Sequence, residues 1–152
     1  MREIQRTIAC AHVFSKDGKL LMGRKDPKGG GVWADAWHIP GGGVDDGESL
    51  EHAVAREVME EVGIDISKHK VTPLPYVNGG STEKTLKETG EKVLCHMDFK
   101  YFRIDIDHDA DQIPVRLSDD LVETRWFSSE ELKDIEQIPG GKEFMQKIGY
   151  MH

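Results

Sequence analysis

Between Leu50 and Val62 an apolar residue returns at every fourth position, Leu50, Val54, Val58 and Val62, with no proline or glycine in the interval. At about 100° per residue these four drift slowly round one side, so the segment predicts an amphipathic helix of roughly three turns. Asp45, Asp46 and Gly47 form a turn before it, Ser49 or Glu48 is placed to cap it, and Gly63 stops it.

Elsewhere the pattern shortens to that of strands. Thr7 to Phe14 reads as a strand, Ser15-Lys16-Asp17-Gly18 as a hairpin turn and Lys19 to Lys25 as the partner strand. Asp26 to Asp35 holds Pro27 and three consecutive glycines and predicts a surface loop. Trp37-His38-Ile39-Pro40 then reads as a short strand leading into Gly41, Gly42 and Gly43. Val71 to Val77 and Val93 to Ile106 predict extended segments, separated by the polar stretch Asn78 to Lys92 as a loop or hairpin tip. Leu121 to Phe127 gives another strand, Ser128-Ser129-Glu130-Glu131-Leu132 a capped helix start, and Lys142 to Ile148 a final helix. No internal repeat is visible, and 152 residues suit one domain over positions 1–152. Strands and helices mixed in this order predict an α+β layered domain with a mixed sheet, although the order alone leaves the topology open.

Charge changes the picture around the first helix. The net charge is −8, and Gly42 to Ile64 holds seven carboxylates against the single Arg56. Long nucleic acid is a poor partner for such a surface, because phosphate backbones bind through lysine and arginine patches. Glu57, Glu60 and Glu61 share a helical sector beside the apolar stripe. Carboxylates held that close in a partly buried groove either retain protons or bind a cation. Oxygen ligands alone favour Mg²⁺ or Mn²⁺, and Mg²⁺ completes its shell with water and substrate phosphate oxygens. A solvated acidic helix face is the plain alternative for any such triplet taken alone.

Other chemistries find less support. Cys10 and Cys95 show no Cys-x-x-Cys spacing and read as reduced, buried and inert, and the seven histidines form no His-x-x-x-His pair. The glycine-rich segment lacks the lysine of a Walker loop. No stretch approaches the ~18 apolar residues of a membrane span, which predicts a cytoplasmic protein without a membrane partner. Trp33, Trp37 and Trp126 could stack on a base but read first as packing residues, and His38 is notable for its closeness in sequence to the glycines.

The spacing from Gly42 through Glu48 to Arg56-Glu57-Val58-Met59-Glu60-Glu61-Val62-Gly63-Ile64 fills every fixed position of the Nudix box, and the chain resembles the Nudix hydrolases. The flanking Trp37-His38-Ile39-Pro40-Gly41 and Arg125-Trp126-Phe127 extend the resemblance over most of the chain. It implies an α/β/α sandwich around a mixed sheet, with Mg²⁺ or Mn²⁺ as cofactor. It further implies Glu57, Glu60, Glu61 and the Gly42 carbonyl as metal ligands, with Glu57 as a candidate base. Arg56 would pair with Glu48 and hold the catalytic helix. Arg24, after Leu20-Leu21-Met22, is expected at substrate, and Glu123 as a metal ligand from outside the box, with Asp119 and Asp120 as alternatives.

The implied reaction is water attack on a pyrophosphate bond of a nucleoside diphosphate linked to another group. A nucleoside triphosphate pyrophosphatase, acting on free or damaged nucleotides, is the leading reading. A nucleotide-sugar, ADP-ribose or dinucleoside-polyphosphate hydrolase is the alternative, with Asn78 to Lys92 as a candidate specificity loop. A Nudix-like module that binds a nucleotide without cleaving it is the reading from another class. An isopentenyl-diphosphate-type isomerase would need a catalytic cysteine and glutamate that do not match here. A homodimer is compatible with the sequence, which leaves the oligomeric state open.

Overall fold

The computed structural model describes residues 1–25, 36–76, 78–118, 121–138 and 141–150. Seven strands and two helices follow in the order β1 (Arg2–Phe14), β2 (Leu20–Lys25), β3 (Gly41–Gly43), α1 (Leu50–Val62), β4 (Lys70–Pro73), β5 (Asn78–Thr85), β6 (Lys92–Asp105), β7 (Leu121–Phe127) and α2 (Gly141–Lys147). They build one mixed sheet with the path β4-β6-β1-β2-β7, in which β3 adds to β1 and β5 to β6. The β1–β6 pair is parallel and the other pairs are antiparallel.

Strand alternation decides which helix covers which face. Ala9, Ala11 and Val13 of β1, Leu21 of β2 and Phe102 and Ile104 of β6 are buried against Ala53, Val54, Val58 and Val62 of α1. The opposite parity, Phe14, Leu20 and Met22, packs with Trp37, Phe127, Leu132 and Met145, the last of these from α2. The result is the expected α/β/α sandwich. Small residues at Ala9 and Ala11 let α1 approach the sheet closely, and that brings its acidic side chains to the level of β3.

The ends of α1 are built as the sequence predicts. Ser49 is the N-cap and accepts a hydrogen bond from the His52 N–H at 3.1 Å. Gly63 closes the helix at φ 70° and donates its N–H to the Met59 carbonyl at 3.0 Å. A left-handed C-cap of this kind favours glycine.

Several boundaries differ from the sequence reading. β1 begins at Arg2 rather than Thr7, because its polar start pairs with β6 and is held by the Arg2–Glu91 and His96–Glu3 contacts at 2.8 and 2.9 Å. The short strand expected over Trp37 to Pro40 lies instead at Gly41–Gly43. Trp37 and His38 make only isolated bridges, to Gln137 and Gly23. Of the two alternatives for Asn78 to Lys92 the hairpin is the one formed, but its tip is shorter than expected, since Asn78–Thr85 is already a strand antiparallel to β6. Its exposed, polar residues carry no alternation, so only the partner strand reveals it. The helix start at Ser128 has its reciprocal cap, Ser128 with Glu131, but yields just the 3₁₀ turn Glu131–Asp134 before the chain extends at Ile135. The predicted loop Asp26 to Asp35, with Trp33, lies outside the described residues, as do Asp119 and Asp120.

Candidate active site

β3 is three glycines wide and runs antiparallel to β1, pairing Gly41, Gly42 and Gly43 with Cys10, Ala9 and Ile8. The fit is close, since a Cβ on Gly41 would come within 2.5 Å of the Ala9 carbonyl oxygen. From the α1 side the Glu57 carboxylate lies against Gly42, where a Cβ would overlap it. Glu61, one turn further along α1, accepts a hydrogen bond from the Gly41 N–H at 3.3 Å. Two glutamates of the helix thus rest on consecutive residues of β3. Glu60 is turned outward, with its side chain 58% exposed, and reaches Arg56 at 3.4 Å.

Arg56 joins loop to helix. Its guanidinium donates to both oxygens of Glu48, at 2.8 and 2.9 Å, and to the Gly43 carbonyl at 2.9 Å. Nη1 donates to Glu57 at 2.8 Å, and Asp45 lies 3.6 Å away. Glu48 also accepts from the Asp45 N–H at 3.0 Å, so the turn before α1 is tied from both sides. The fork-on-fork geometry is the strong form of a carboxylate pair. The Arg56 guanidinium, followed by the Asp45 amide, holds Glu48 well below the ordinary carboxylate range. Glu57 shifts the other way: partial burial raises it, and Arg56 only partly offsets that.

The donors around β3 suit a hard cation. Glu57 and Glu61 offer carboxylate oxygens, and the absence of a side chain at Gly42 leaves the space that the Glu57 carboxylate fills. Among the described residues no three His, Cys, Asp or Glu side chains converge into a cluster that could hold an ion alone.

Arg24 and Glu123 face each other across β2 and β7 and form an ion pair at 3.2 Å. The Arg24 guanidinium also lies 5.9 Å from the centre of the Trp37 ring. A metal role for Glu123 would require this pair to open. Trp37 packs edge-on against Phe127 at 4.9 Å, and Trp126 is partly buried against the α1 core. His38 is partly buried, and burial lowers its pKa. Cys10 and Cys95 are both buried and free, and burial with Glu61 nearby pushes the Cys10 thiol up to about 12.

Arg6 is the residue of this region that the sequence reading missed. Its guanidinium covers Gly43 on the side away from Glu57. A strand cation four residues before Cys10 carries no local motif, and only the β1–β3 register brings it here.

Among the described residues no helix is long and apolar enough to cross a membrane. The NUDIX domain family matches residues 3–148. A nucleoside triphosphatase of Escherichia coli, NudI, is 30% identical over 128 residues, covering 84% of this chain and 85% of that protein. The MutT protein of Methanosarcina mazei is similar in structure, with TM-score 0.61 and 25% identity over 98% of this chain and 99% of that one. The dihydroneopterin triphosphate pyrophosphohydrolase of Escherichia coli shares the fold, with TM-score 0.70 at 16% identity over 93% and 92% of the two chains. With the family match running almost end to end, and Glu57 and Glu61 of the box resting on β3, the chain belongs to the NUDIX family.

Proposed function

We propose that this Nudix-type pyrophosphohydrolase acts on nucleoside triphosphates with Mg²⁺, releasing a nucleoside monophosphate and pyrophosphate. The observation that carries the reading is the placement of Glu57 and Glu61 on Gly42 and Gly41, beside a helix locked to the loop by Arg56. The similarity to an Escherichia coli nucleoside triphosphatase over most of both chains supports the choice of substrate class.

Glu57, Glu61 and the Gly42 carbonyl are the groups that would hold Mg²⁺, with Glu60 as an outer member. Bound there, the ion would lower the pKa of water and offset charge on the phosphoryl oxygens. Arg56 fixes the distance between β3 and α1, so the glutamates keep their places as substrate arrives. Glu57 is the candidate proton acceptor because its carboxylate is mostly shielded and points at the loop. Arg24, beside Trp37, is the candidate contact to the far part of the nucleotide.

The test is a screen of purified protein with Mg²⁺, and separately Mn²⁺, against nucleoside triphosphates, sugar nucleotides, ADP-ribose and dinucleoside polyphosphates. Preferential turnover of a triphosphate supports the proposal. Preference for one of the linked diphosphates would move the substrate class, and binding without turnover would indicate a sensing module.

A further inference from the structure

We propose that Arg6 binds the polyphosphate chain of the substrate, delivering across Gly43 a cation that the box itself does not supply. This deepens the triphosphate reading and rests on it.

Consecutive residues of β3 look in opposite directions. Gly42 turns toward α1 and the Glu57 carboxylate, while Gly43 turns toward the other face of the sheet. On that side a Cβ at position 43 would overlap Arg6 Nη2 and come within 3.0 Å of its Cζ. Gly43 does not have a positive φ, so its backbone would accept any residue. What a side chain there would displace is the Arg6 guanidinium.

The two arginines that touch Gly43 differ in their charge balance. Arg56, at the Gly43 carbonyl, is surrounded by Asp45, Glu48, Glu57 and Glu60. It has little charge to offer a ligand. Arg6 is half-buried and, among the described residues, has no hydrogen-bond or ion-pair partner. A half-buried guanidinium with no counter-ion among the described residues, beside a loop rich in carboxylates, is the complement of an anion that arrives with its own metal. Its planar fork matches phosphate oxygens, and its low hydration makes that exchange favourable. Phosphate laid across β3 would meet the glutamates past Gly42 and Arg6 past Gly43.

The experiment measures the affinity of the protein for inorganic tripolyphosphate by calorimetry in Mg²⁺, together with KM for the triphosphate that the wild type cleaves. Arg6→Gln should weaken tripolyphosphate about tenfold or more and raise KM by a similar factor, with a smaller fall in kcat. Arg6→Lys should recover part of the loss. Gly43→Ala, which pushes the guanidinium aside without removing its charge, should also weaken binding. Placing a cation from the other strand, as Gly43→Lys in the Arg6→Gln background, should restore much of the affinity. Thermal melts of each variant separate these effects from unfolding, and the Arg6→Lys and swap variants keep the test open if Arg6→Gln is unstable. Unchanged tripolyphosphate affinity and KM in folded Arg6→Gln would overturn the proposal, as would failure of the folded swap variant to regain affinity. A wild type that binds tripolyphosphate through Arg6 but cleaves no triphosphate would refute the function proposed above while leaving Arg6 as an anion contact.

Discussion

The Glu57 carboxylate and the α-carbon of Gly42 lie in contact, and the space between them admits no side chain. Gly42 does not have a positive φ, so alanine is conformationally acceptable there. Gly42→Ala should therefore leave the fold standing while moving Glu57 off the loop. A shift of about 1 Å in a reacting group costs on the order of 100-fold in rate, which is the expected fall in kcat. Steady-state kinetics beside a thermal melt check it, and full activity in a folded variant would detach Glu57 from the site.

Arg56 and Glu48 form the second fixed relationship, with Glu48 almost fully covered and Arg56 meeting both its oxygens. Removing Arg56 leaves Glu48 and Glu57 without their guanidinium in a partly buried setting, and removing Glu48 takes away two short contacts that tie Arg56 to the loop. Glu48→Ala and Arg56→Ala should each lower Tm by about 5 °C or more and lower the rate as well. Glu48 is held below the ordinary glutamate value of 4.5, so its contribution is full above that pH and fades as pH falls further. Glu48→Gln should accordingly flatten the acid limb of the stability profile. Variants that melt like the wild type would remove the pair from the structural account.

The helix, its caps and the box residues were readable in the sequence because each rests on local chemistry. Ser49 caps, Gly63 adopts a left-handed conformation, and the valines repeat at helical spacing. What could not be read is non-local. β5 is polar and exposed and exists as a strand through its pairing with β6. The same holds for β3, whose glycines carry no strand preference and are extended because β1 pairs with them. Three glutamates in one helical sector suggested equal convergence, yet only the position of β3 decides that Glu57 and Glu61 meet the loop while Glu60 faces out. Arg6 was invisible for the same reason.

This division of the glutamates predicts unequal effects. Glu57→Gln and Glu61→Gln should each reduce kcat by about 100-fold or more and raise the Mg²⁺ concentration needed for half-maximal rate. Glu60→Gln should cost less on both counts. Metal titrations of the three variants side by side decide the matter, and a Glu60 effect as large as that of Glu61 would contradict the arrangement.

His12 lies fully buried on β1 beside the stacked rings of Tyr101 and Phe144, with neither ring nitrogen paired among the described residues. Burial, with Arg103 nearby, lowers its pKa from 6.5 to about 4. The unfolded chain therefore takes up a proton first, and stability falls as pH drops from 6.5 toward 4 while staying flat above. The loss amounts to roughly 3 kcal/mol from this group. Urea unfolding at pH 7, 6, 5 and 4 should show it, and His12→Phe should lose less over that interval. Parallel profiles for the two proteins would refute the assignment.

The central claim concerns the bond that is broken, and product identification by phosphorus NMR in ¹⁸O-water tests it most directly. A nucleoside triphosphate incubated with the protein and Mg²⁺ should give nucleoside monophosphate and pyrophosphate, with ¹⁸O in one of the two. Stepwise release of orthophosphate, or no cleavage of any triphosphate, would contradict it.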